Sequence, residues 1–129
     1  MAIYYLSKKF YKFLFANSRL IYKFSEIFYQ EIVIMAKTDI IIHDEKDNVG
    51  VVVIEKITPK QDCSCWIMEN NKTMNIQSLN EIPLGHKIAM VDLNEGDTIL
   101  KYGHDIGKVV KSIKKGEHVH VHNVKTKKW

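Results

Sequence analysis

Apolar positions along this chain follow two rhythms. In residues 1–34 they recur at intervals of three and four, as Ile3, Leu6, Phe10 and Phe13, then Ile21, Phe24 and Phe28. That spacing puts them on one face and predicts an amphipathic helix. After Met35 the rhythm changes to short β-branched runs separated by turn signals. Strands are predicted over residues 39–43, 49–54, 65–68, 73–76, 86–91, 98–102, 108–113 and 117–124. The stretches between them carry the breakers. Pro59-Lys60-Gln61-Asp62, Glu69-Asn70-Asn71-Lys72, Ile82-Pro83-Leu84-Gly85, Asn94-Glu95-Gly96-Asp97 and Lys114-Lys115-Gly116 are turn sequences. Gly103 and Gly107 bracket another, His104-Asp105-Ile106. No helical stripe is visible after Met35, so the body reads as a small all-β domain, a sandwich or barrel.

Composition sharpens the seam. Ten of the thirteen aromatic residues lie in residues 1–34, and every glycine and proline lies after Met35. The formal charge of +4 divides unevenly, with +3 on residues 1–34 and +1 on the rest. The body is therefore near neutral and poor in aromatics. It lacks both the electrostatic track and the stacking platform of a nucleic-acid binder. Residues 1–34 are read as a leader upstream of a start at Met35, with a membrane-surface helix as the competing reading. Lys and Arg interrupt the leader too often for a transmembrane span of about 20 apolar residues, and membrane association is not expected. The body of about 95 residues is large enough to fold alone but offers little wall for an enclosed active site. Its size favours a module that works with a partner.

Histidines carry the main chemical signal. In Glu117-His118-Val119-His120-Val121-His122-Asn123, strand alternation would put the three imidazoles on one face and turn Val119 and Val121 inward. Such a face suits a metal ion or an anionic substrate. His43-Asp44-Glu45-Lys46-Asp47-Asn48 gathers an imidazole, three carboxylates and an amide between two strands. That mixture suits a hard or borderline divalent cation. Gly85-His86-Lys87 offers a histidine and a lysine on opposite faces, so at most one of the two points to a given site. Cys63-Ser64-Cys65 cannot complete a four-cysteine zinc site, and the thiols are expected to be free, in a cytoplasmic protein.

Three stretches taken together are more specific. They are His43-Asp44-Glu45-Lys46-Asp47-Asn48-Val49-Gly50, Ile82-Pro83-Leu84-Gly85-His86-Lys87-Ile88-Ala89 and Gly116-Glu117-His118-Val119-His120-Val121-His122-Asn123-Val124. With Lys101-Tyr102-Gly103 and Ile106-Gly107, the set resembles the SAF domain of the altronate/galactarate dehydratase family over about residues 37–129. The resemblance implies a β-clip fold. It also implies a metal-dependent lyase, with Fe(II) or Mn(II) as cofactor, that removes water from a sugar acid of the altronate type. Members of this type occur as separate small subunits, so the resemblance implies a hetero-oligomer with a large catalytic subunit. A sulfolactate sulfo-lyase small subunit is the alternative within the class. A non-catalytic carbohydrate- or metal-binding module is the alternative outside it. On this basis the metal- or substrate-binding residues are His43, Asp47, Asn48, His86, His120 and His122. His43, His120 and His122 are the foremost metal candidates.

Overall fold

The computed structural model describes residues 18–127. The chain divides into two units, Met1–Ala36 and Lys37–Trp129. In the first, helix α1 spans Ser18–Ala36. Phe24 and Phe28, four residues apart, are half-buried, whereas Ile27 and Tyr29 are exposed. The apolar spacing thus does produce a helix there; its earlier part, with Ile3 to Phe13, lies outside the described residues. Among those residues no helix is long and apolar enough to cross a membrane.

The second unit is all-β, as expected. Among the described residues eleven strands form it: β1 (Ile40–Ile42), β2 (Val49–Val52), β3 (Lys56–Ile57), β4 (Asp62–Ile67), β5 (Lys72–Gln77), β6 (Ile82–Pro83), β7 (Lys87–Ala89), β8 (Thr98–Lys101), β9 (His104–Val109), β10 (His118–Val119) and β11 (Val124–Lys125). A six-stranded sheet runs β10-β7-β2-β1-β4-β5, beside a three-stranded sheet β11-β9-β8 and the pair β3-β6. Within the large sheet only β1 and β4 run parallel.

Burial on both faces explains why β2 reads Val-Gly-Val-Val and not as an alternating strand. Val52 joins Ile40, Ile42 and Ile88 in one core, while Val49 joins Ala89, Ile99, Val109 and Val119 in another. The large sheet therefore separates two apolar clusters, and successive β2 residues alternate between them. Gly50 occupies the first face because nothing larger fits. A β-carbon there would run into Ile40 Cγ2, with Ile42 Cγ1 at 3.3 Å and Met90 Sδ at 3.4 Å. Gly50→Ala is expected to overpack this core and destabilise the protein by about 1–3 kcal/mol. A lowered denaturant midpoint with an unchanged slope is the expected readout.

Several predicted boundaries differ from the structure: Ile82-Pro83, expected within a turn, is β6, β3 falls where no strand is predicted, β4 begins already at Asp62, and β9 ends at Val109. Two further differences bear on the site. The segment His104-Asp105-Ile106 is the start of β9, not a turn. The turn is Tyr102-Gly103, since Lys101 pairs directly with His104. Both turn residues have positive φ, 55° and 70°, the geometry a two-residue hairpin loop demands. Tyrosine is an unfavoured residue for the first position, which hid the turn. At the other end, the predicted strand 117–124 breaks after Val119. Val121 is 75% exposed and does not turn inward, whereas Val119 does, at 2%. The reason is Asn123, which is buried. Its Oδ1 accepts from the His120 amide (3.0 Å) and its Nδ2 donates to the His118 carbonyl (2.8 Å). These bonds fold residues 120–123 into a turn.

Candidate metal centre

The edge strand β10 pairs with β7 so that His118 lies opposite Ile88 and Val119 opposite Lys87. Alternation then puts Ile88 and His118 on one side, the side that His86 just before β7 shares, and Lys87 with Val119 on the other, while His120 lies beyond the end of β10. His86 sits just before β7, in the turn that follows Pro83, with its amide donating to the Pro83 carbonyl (3.1 Å). His118 is fixed through its own amide, which donates to Asn80 Oδ1 (2.9 Å). With the Asn123 turn, these bonds bring three imidazoles together from two strands.

His86 Nδ1 lies 2.8 Å from His118 Nε2. The His86 and His120 rings stack with centroids 4.2 Å apart. One nitrogen from each of His86, His118 and His120 lies within 4.8 Å of the others. Two imidazole nitrogens held by one cation at about 2.1 Å stand about 3.0–3.4 Å apart. The trio is therefore near the size of a coordination set. Burial pushes His118 down to about 4, and the neighbouring His86, His122 and His120 push it the same way. Its lone pair is thus available at neutral pH. A set of imidazoles without a carboxylate suits iron(II), zinc, cobalt or nickel better than magnesium or calcium. The donor set of His86, His118 and His120 is thus of a kind that could hold the iron-type cation the resemblance implies.

Of the six residues singled out from sequence, only His86 and His120 enter this group. His118 completes it, and its membership was visible only as one of three alternating histidines. His122 stands to one side, with its ring 5.3 Å from that of His118 and tilted by 51°. His43 is placed against Tyr102, with centroids 4.0 Å apart. Burial and the Lys101 ammonium lower its pKa, outweighing the opposing pull of Asp47.

Asp47 and Asn48 have their polar atoms engaged by backbone. Asp47 is buried, and its Oδ2 accepts from the amides of Tyr102 (2.9 Å) and Asp44 (3.2 Å) while Oδ1 accepts from that of Gly103 (2.8 Å). Asn48 donates to the Thr98 carbonyl (2.9 Å) and accepts from the Leu100 amide (2.8 Å). Together they staple the loop after β1 to the β8–β9 hairpin. The cysteines are free and buried in the first core. Burial pushes Cys63 up to about 11 and Cys65 up to about 12, with Asp39 adding to both. Both thiols therefore stay protonated and unreactive at neutral pH.

Fold and site together define a small β module that carries a three-histidine centre on a sheet edge. The family model for the altronate/galactarate dehydratase SAF domain matches residues 38–127, and the chain belongs to that family. It is 50% identical over 91 residues to the (2R)-sulfolactate sulfo-lyase subunit alpha of Chromohalobacter salexigens, a match covering 70% of this chain and 97% of that protein. The corresponding subunit of Paracoccus pantotrophus is 45% identical over 65 residues, which cover 50% of this chain and 97% of that protein. Altronate dehydratase of Bacillus subtilis is 47% identical over 53 residues, 41% of this chain but only 11% of that enzyme.

Proposed function

We propose that this chain is the small subunit of a metal-dependent lyase that acts on a short 2-hydroxy acid together with a large catalytic subunit. The observation that carries the reading is the three-imidazole group of His86, His118 and His120 on a domain of the dehydratase SAF family. Full-length similarity to separate alpha subunits of a sulfo-lyase supports the small-subunit role and makes sulfolactate the first substrate to test. Similarity to altronate dehydratases supports the second reading, in which the substrate is a sugar acid and the leaving group is water.

Elimination from a 2-hydroxy acid requires loss of a weakly acidic C–H and departure of the group on the next carbon. Within this chain His86, His118 and His120 would hold the cation. A divalent cation supplies stabilisation of the negative charge that develops on the substrate's oxygens. Neutral His118 keeps the site ready for the cation without first releasing a proton. Asp47 and Asn48 act at one remove, by fixing the hairpin that carries Tyr102 beside His43. On this reading none of the three histidines serves as the base, and the C–H base is assigned to the large subunit.

The test is co-purification with the protein encoded beside it, followed by anaerobic assay with Fe(II) on sulfolactate, altronate and galactarate. The chain alone is expected to be inactive and the complex active on one of them. A large subunit that turns over equally fast without this chain would overturn the reading.

A further inference from the structure

Lys87 is the half of the His86-Lys87 pair that the metal centre leaves unused. It sits in the register row Val51–Lys87–Val119, on the sheet face opposite His86. There it lines an open pocket of about 570 Å³ together with His120, Lys125 and Thr126, between aliphatic walls that include Ile99 and Val119. That volume lies in the usual range of small-molecule sites, about 300–1,000 Å³. None of its lining residues is acidic. Lys87 is half-buried. The ion pairs among the described residues use Lys56, Lys72 and Lys127, so Lys87 has no carboxylate partner there. A partly buried ammonium without a counter-ion is costly, and an arriving oxyanion offsets that cost.

We propose that this pocket is a subsite for the carboxylate or sulfonate of a short hydroxy acid, with Lys87 as its principal cation. His120 gives the pocket its connection to the chemistry. It lines the pocket and also stacks on His86, with centroids 4.2 Å apart. His120 therefore borders both the pocket and the histidine group, so an acid anchored on Lys87 would share that one imidazole with the group. The aliphatic walls strengthen the ammonium–oxyanion attraction by lowering the local dielectric. The identity of the acid as a lyase substrate rests on the reading above, whereas the binding of an oxyanion does not.

The experiment is an NMR titration of the full chain with two probes, lactate (a carboxylate) and isethionate (a sulfonate). Either probe is expected to shift the Lys87 side-chain signals and the Val119 and Val121 amides, and the tighter one identifies the group the pocket holds. Lys87→Met is expected to weaken this binding about tenfold or more, as deletion of a charge-assisted hydrogen bond does. Lys87→Arg is expected to retain it, which excludes misfolding as the cause of the loss. Absence of shifts with both probes, or equal binding by Lys87→Met, would overturn the proposal. A complex without lyase turnover, whose small chain still binds lactate through Lys87, would remove the reaction and leave the pocket standing.

Discussion

Full-length chain carrying His118→Ala is expected to bind Fe(II) or Co(II) about a hundredfold or more weakly than the parent, because it loses one of three protein ligands. His118 sits beside both other members of the trio. Its Nε2 meets His86 Nδ1 at 2.8 Å, and its ring lies 5.5 Å from that of His120. His122→Ala is expected to leave the affinity close to the parent value, because His122 lies outside the trio. Calorimetry with Co(II) under argon measures both, and an unchanged affinity in His118→Ala would sink the assignment. The same residue sets a pH dependence in the cation-free protein. Its folded pKa of about 4 lies below the ordinary imidazole value of 6.5. Between those values the unfolded chain binds a proton that the folded chain refuses, so stability rises with pH. The contribution is full above about 6.5 and is lost as the pH falls towards 4. Denaturant titrations at a series of pH values should show this slope in the parent and lose it in His118→Ala.

Asp47→Ala is expected to be the most destabilising single change in the loop after β1, by about 3 kcal/mol. The substitution orphans the amides of Tyr102, Gly103 and Asp44, which the carboxylate now receives. It also removes the group that holds Tyr102 at φ 55°, a conformation a tyrosine does not adopt without support. For a domain of this size the melting temperature should fall by roughly 10–20 °C. Cobalt affinity, measured below the new transition, should be unaffected. A loss of affinity comparable to that of His118→Ala would instead make Asp47 a ligand.

Much of the fold was legible in the sequence because most strands are bounded by residues with turn chemistry; β3 escaped because Val53-Ile54-Glu55, which separates it from β2, has none. The hairpin of β4 and β5 is the clearest case. Asn71 takes φ 54° and its Oδ1 accepts from Trp66 Nε1 (2.9 Å), both uses to which asparagine is suited. The turn at Tyr102-Gly103 was obscured because a tertiary contact, the Asp47 carboxylate, overrides local preference there. The histidine site was legible in kind but not in membership. Spacing within residues 118–122 announces an imidazole face, yet His86 arrives from a strand 32 positions earlier. The turn that bends the chain after His120 depends on a buried Asn123, which pairs with its own neighbours. Asp47 and Asn48 looked like ligands because the same carboxylate and amide groups that hold a cation also cap backbone amides. Only the positions of those amides distinguish the two uses.

The edge strand β10 is joined to the sheet through only two register pairs, His118 with Ile88 and Val119 with Lys87. Such a short attachment is where a sheet opens first, well before global unfolding. Amide hydrogen exchange at Val119 and Ala89, whose amide donates to Glu117 O (2.9 Å), should therefore be the fastest along the large sheet in the absence of a cation. A cation held by His86, His118 and His120 would bridge that seam. At a hundred times its dissociation constant it suppresses opening by about 2.7 kcal/mol. The same three side chains that would serve chemistry would thus also latch the sheet, and the protection of its edge would report whether the latch is closed.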